Sequence, residues 1–136
     1  MPTSTVHYSG NLRTLCTHIE SGEHLHTDAP RDNKGLGQTF SPTDLAATSL
    51  ASCMLTLMGI YARERGIVIG EVKAEVIKVM AEKPRRISEI HIRMQIPERN
   101  LSSKDRKGLH AAAKSCPVAL SLHPDILQKL EIVYPD

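Results

Sequence analysis

The sequence predicts an α+β protein, a single domain over residues 1–136 with sheet and helix segregated along the chain. Three observations carry that expectation. Short alternating segments fill the stretch up to residue 28, and one long apolar run with helix-start and helix-stop signals follows. Two further extended segments then precede a shorter helical pattern and a last strand. No internal repeat, low-complexity run or linker interrupts this order.

Val6 and Tyr8, then Leu12 to His18, read as strands separated by the turn chemistry of Ser9-Gly10-Asn11. Ser21-Gly22-Glu23 marks a second turn before the alternation His24, Leu25, His26, Thr27. From Asp28 to Gln38 the composition is that of a loop, and its length in so small a chain marks it as a candidate functional loop. Ser41-Pro42-Thr43-Asp44 opens a helix: a serine N-cap, proline at the first helical position and an acid in the first turn. It runs to about Arg65 and stops at Gly66. Its apolar residues cover most of the circumference, so burying it asks for more protein than one such chain supplies, a hint of a dimer. Val72 to Met80 and Ile87 to Ile96 flank the connection Glu82-Lys83-Pro84-Arg85. In the second, Ile90, Ile92, Met94 and Ile96 alternate with polar residues, giving one buried and one wet face. Ser102 or Ser103 caps a second helix to about Ser115. Cys116-Pro117 then restarts a short apolar turn, Val118 to Leu122, and Leu127 to Tyr134 reads as the closing strand.

Composition bounds the function. Apolar residues make up 40%, charged residues 24%, and the net charge is +2, with three Tyr, one Phe and no Trp. So few aromatics and so little positive charge argue against nucleic acid as a partner. No run reaches the roughly 20 apolar residues of a membrane span; Leu45 to Tyr61 is interrupted by Thr48, Ser49, Ser52 and Thr56. The opening MPTSTVHYSG has neither part of a signal peptide, so no membrane partner and a cytoplasmic location are expected. Cys16, Cys53 and Cys116 are odd in number and form no CxxC pair, which fits neither a disulfide framework nor a thiolate zinc site.

Cys53 lies in Leu50-Ala51-Ser52-Cys53-Met54 of the long helix, and Cys116 lies where the second helix meets a proline. Read alone, both are small hydrophobes of a core. Their matching contexts on two core helices also fit a redox pair. N–H groups gathered ahead of Pro117-Val118 are expected to lower the Cys116 pKa. The run Phe40-Ser41-Pro42-Thr43-Asp44-Leu45-Ala46-Ala47 with Ala51-Ser52-Cys53 resembles the Pro-x-x-Leu…Ala…Cys segment of the OsmC/Ohr family, the osmotically inducible protein C and organic hydroperoxide resistance proteins. Ala111-Ala112-Ala113-Lys114-Ser115-Cys116-Pro117-Val118 resembles that family's second cysteine segment.

The resemblance implies an OsmC-like fold of antiparallel sheets around two central helices, assembled as an intertwined homodimer. It implies thiol peroxidase chemistry with no cofactor and no metal, its partners being a small-molecule hydroperoxide and an external thiol reductant. Cys53 is then peroxidatic and Cys116 resolving. A cation must keep Cys53 ionised; the resemblance offers Arg31 in the Asp28–Gln38 loop and Arg13 in the second strand, Arg31 being preferred because loops at a site mouth often carry function. The family's glutamate after the helix-opening proline is replaced here by Thr43, with Asp44 next to it as a substitute. Nine residues on a straight helix advance about 14 Å and turn roughly 180°, so Asp44 cannot reach Cys53 of its own chain and is placed to help only across a dimer interface or through the arginine loop; its other role is an acid favouring the helix N-terminus.

Two other functions stay open at this point. One is a stress-associated redox-sensing or small-ligand-binding protein on the same scaffold, and the other a metal module using the histidines and cysteines, which predicts stoichiometric zinc. His24 and His26 share a strand face with His18 nearby, yet spacing places no third ligand. Cys16 reads as strand packing. Met54, Met58 and Met80 read as core filling, with Met58 or Leu57 also placed to line an apolar pocket near Cys53. Gly35-Leu36-Gly37 reads as a turn and not as a phosphate loop.

Overall fold

The computed structural model describes residues 1–135. The strands are β1 (Ser4–Gly10), β2 (Arg13–His18), β3 (His24–Asp28), β4 (Lys73–Ala81), β5 (Arg86–Gln95) and β6 (Leu127–Val133). The helices are α1 (Pro42–Arg65), α2 (Ser103–Lys114) and α3 (Pro117–Ser121). The chain forms two compact units, one over Met1–Ala46 and the other beginning at Ala47. The α+β class stands.

In the first unit β1, β2 and β3 form an antiparallel sheet in sequence order. The turn between β1 and β2 sits one residue later than its composition predicts. Asn11 and Leu12 both take positive φ, so Leu12 belongs to the turn and β2 starts at Arg13. Val6 pairs with Cys16 and Cys16 with Leu25, which puts these three on one sheet face, while Arg13 pairs with Asp28 on the other. The loop after β3 is tied to itself: Asp28 N–H donates to Phe40 O at 3.0 Å, and Gly35 N–H to Pro30 O at 2.9 Å. Gly35 presses so closely on the Ala29 carbonyl that a Cβ there would overlap it.

The second unit holds an apolar core. Ala47, Leu50, Ala51, Met54, Met58 and Ala62 make one buried stripe of α1, and the first five pack with Ile90, Ile92, Met94 and Ile96, with Leu109 and Ala113 of α2, and with Cys116. The alternation read in β5 is thus the observed one. β4 and β6 flank β5, β4 antiparallel and β6 parallel. This corrects the expectation of antiparallel sheets: the second sheet is mixed. A parallel neighbour requires a long crossover, and residues 96–126 with α2 and α3 provide one.

α1 departs from expectation in two ways. It is buried along a stripe and not all round, since Ser52, Thr56 and Ile60 are exposed. It is also long and apolar enough to cross a membrane by length and composition alone, with a mean hydropathy of 1.6 over an 18-residue window, despite Thr48, Ser49, Ser52 and Thr56. Its stripe is engaged in the core instead.

Candidate functional site

The thiol pair lies in the second unit. Cys53 flanks the buried stripe of α1 between Leu50 and Met54, so it is half-buried while they are sealed. Cys116 owes its position to the residue after it. Pro117 disfavours the helical conformation at the residue before it, so Cys116 is extended at φ −66° and ψ 146° and α2 ends at Lys114. Pro117 then starts α3, whose N-cap is Cys116, with its Sγ accepting from the Ala119 N–H at 3.3 Å. The Cys116 side chain has no exposed surface, and the Cys53 side chain acts on it electrostatically.

Burial pushes the Cys116 thiol above its ordinary pKa, and the Cys53 side chain adds to the rise. The N–H groups of Ala119 and Val118 pull the other way and do not prevail. This corrects the expectation that the N–H groups lower it: they are present, but desolvation of the thiolate outweighs them.

The other candidate residues belong to the first unit. Arg31 is exposed, and its Nε donates to the Leu36 carbonyl at 3.2 Å, a bond within its own loop. Gly37 lies against the Arg31 side chain at φ +62°, a conformation open to glycine. Arg13 is half-buried, and its Nε is buried with no hydrogen-bond partner. Asp44 joins Ser41 in a reciprocal cap: Asp44 N–H donates to Ser41 Oγ at 3.1 Å, and Ser41 N–H to Asp44 Oδ2 at 3.0 Å. That is the capping box of a helix start.

One residue that sequence reasoning passed over stands out. Asp28 is fully buried, with Oδ2 accepting from the Gln38 N–H at 3.0 Å and Oδ1 buried without a partner. An acid closing an alternating strand reads as the start of a polar loop, and no spacing rule flags it. The histidines take local roles. His18 Nδ1 bonds Ser21 Oγ at 2.6 Å and His24 Nδ1 bonds Thr17 Oγ1 at 2.9 Å. Among the described residues no three His, Cys, Asp or Glu side chains gather as metal ligands. Met58 is sealed in the core and lines no open surface, whereas Leu57 is partly buried against that core.

With this geometry in hand, residues 35–131 match the model of the OsmC-like protein family. A candidate osmotic-stress-induced and detoxification-response protein from Psychrobacter arcticus is 53% identical, over 98% of this chain and 96% of that one, with a TM-score of 0.93. The chain belongs to the OsmC-like family. The same fold recurs in an organic hydroperoxide resistance protein OsmC from Legionella pneumophila, at 18% identity and a TM-score of 0.71, covering 97% of each chain. It recurs again in the organic hydroperoxide resistance protein OhrB of Bacillus subtilis, at 22% identity and 0.64, over 97% of this chain and 98% of that one. None of the curated proteins matches.

Proposed function

We propose that this OsmC-like protein is a thiol peroxidase that reduces organic hydroperoxides or hydrogen peroxide through Cys53 and Cys116. One observation carries the reading: two thiols that act on one another, one half-buried and one sealed from solvent. A peroxide can approach only the first. The names of the Legionella and Bacillus structures, both organic hydroperoxide resistance proteins, support the substrate class.

The Cys53 thiolate attacks the terminal oxygen of R–O–OH. The O–O bond breaks, the sulfur becomes a sulfenic acid, and the departing alkoxide takes a proton to leave as ROH. The Cys116 sulfur then attacks the Cys53 sulfur, and its proton leaves with the hydroxyl group as water, closing a disulfide. Two equivalents of an external thiol return both cysteines to the reduced state, a step suited to the cytosol. The raised pKa of Cys116 fits its part, because it stays a thiol until the sulfenic acid forms beside it.

Cys53 must ionise near neutral pH, and a guanidinium achieves this at least desolvation cost. Arg13 is our choice over Arg31, reversing the preference drawn from loop position. Arg31 is exposed and its Nε is bonded to the Leu36 carbonyl of its own loop, whereas Arg13 is half-buried. The working form in this reading is a homodimer, supported by Val6, Tyr8 and Leu25, which share a sheet face and are 65%, 62% and 44% exposed.

The test mixes reduced protein with cumene hydroperoxide and a thiol reductant. Wild type is expected to consume peroxide, Cys53→Ser to consume none above background, and Cys116→Ser to stop at a sulfenic acid visible by mass spectrometry. Wild-type consumption no faster than that of Cys53→Ser would end the enzyme reading and leave a redox-sensing or ligand-binding protein.

A further inference from the structure

We propose that Asp28 is the positioning residue for Arg13, its carboxylate holding the guanidinium in the orientation that the thiolate chemistry above requires. The inference rests on that reading for its function, but its evidence comes from the first unit alone.

β2 and β3 place Arg13 directly opposite Asp28. Side chains of such a cross-strand pair leave the same face of the sheet with their Cβ atoms about 5 Å apart. Each carries an unmet polar atom of complementary kind: Arg13 Nε is a buried donor with no acceptor, and Asp28 Oδ1 is a buried acceptor with no donor. A wholly buried carboxylate oxygen left without a donor is costly, and so is a buried guanidinium N–H without an acceptor. The neighbouring pairs offer no equal alternative. On that face the next pair is Leu15 with His26, and beyond it Thr17 is bonded to His24.

The rest of Asp28 is already fixed. Its N–H donates to Phe40 O and its Oδ2 accepts from Gln38 N–H, both at 3.0 Å. The residue therefore ties the two ends of the loop together and leaves one buried oxygen, Oδ1, without a donor. A guanidinium meeting it there, directly or through one water, loses the rotamer freedom that a half-buried arginine otherwise keeps. Pre-organisation of this kind is what a positioning residue contributes to a reacting centre.

The experiment follows the Arg13 Nε–H by 15N NMR at pH 6.5, the signal being assigned by its disappearance in Arg13→Lys. In wild type it is expected to exchange slowly with solvent, and in Asp28→Asn about tenfold faster. The asparagine still accepts from Gln38, so protection of the Gln38 amide should persist. Equal protection of Nε–H in wild type and Asp28→Asn overturns the proposal. If Asp28→Asn does not fold, Arg13→Lys carries the test: the 13C carboxyl resonance of Asp28 must move, and an unmoved resonance overturns it. The kinetic arm compares kcat/KM for cumene hydroperoxide. Asp28→Asn should lose about tenfold, and Asp28→Asn with Arg13→Lys should be no slower than Arg13→Lys alone. A further tenfold loss in the double variant means that Asp28 acts independently and ends the proposal. A wild type without peroxidase activity removes the function proposed above, yet the NMR arm still decides whether the two residues are paired.

Discussion

The two units are built on opposite plans. From Ala47 onward the buried residues are apolar, the largest of them Leu50, Met54, Met58, Ile90, Met94, Ile96 and Leu109, and Cys116 is buried with them. Up to Ala46 the buried residues are Thr27, Asp28 and Ser41, and the large apolar side chains Val6, Tyr8, Leu12, Leu25, Leu36 and Phe40 are exposed. One unit is held by apolar packing, the other by backbone pairing and a few polar contacts. A three-stranded sheet needs a covered apolar face to be stable, so the first unit has least to hold it. The second unit has a finished core, and that core keeps the Cys116 thiol dry.

The sharpest way to break this contrast is to cut into the core. Met54→Ala removes a fully buried side chain from the centre of the α1 stripe, and such truncations cost about 2–5 kcal/mol. Urea denaturation checks it, with the midpoint falling and the slope unchanged. Val6→Ala in the first unit, on a residue 65% exposed, should stay within about 0.5 kcal/mol under conditions where the protein is monomeric. Two similar losses would mean that the first unit carries apolar packing of its own.

The same contrast explains what was legible in the sequence. Apolar periodicity is a local pattern, so α1, β5 and α2 were readable to within a residue or two, and Gly66 ended α1 where expected, at φ +67°. β6 was readable as a strand, but its direction was not, because direction is set by the crossover and not by the pattern. The cysteines were found through a resemblance and their contact was not, since Cys53 and Cys116 are remote in sequence. The rise in the Cys116 pKa depends on burial, which no spacing rule reports. Asp28 escaped for the reason that makes it informative: its environment consists of strand register and loop closure, both tertiary.

A middle-sized test sharpens the polar side. Ser41 is buried, and its reciprocal bonds with Asp44 start α1. Ser41→Ala should cost about 1 kcal/mol, the usual worth of an N-cap. Asp44→Asn should cost less and leave peroxide turnover within about twofold of wild type, since its place is the cap and not the chemistry. A turnover loss of about a hundredfold in Asp44→Asn would instead restore it as a reacting residue.

The smallest effect is a slope with pH, and it tests whether the dry sulfur is as isolated as its packing implies. Burial raises the Cys116 pKa above its ordinary value of 9.0, so the folded protein holds that proton more tightly than the unfolded chain. The contribution to stability is full well below pH 9, where both states are protonated. It is lost as pH rises from there, because the unfolded thiol ionises first and the folded thiol follows only at its higher pKa. Reduced wild type should therefore lose stability between pH 8.5 and about 9.5, a window chosen to stay below the ionisation of Tyr134, which burial also raises. Cys116→Ser, with no thiol to titrate, should show a flatter curve over the same window. Identical slopes would mean that the Cys116 proton is held no more tightly in the fold than in the unfolded chain. The N–H groups of Ala119 and Val118 would then offset desolvation in full, and the sealed thiol would lose the property that suits it to wait for a sulfenic acid.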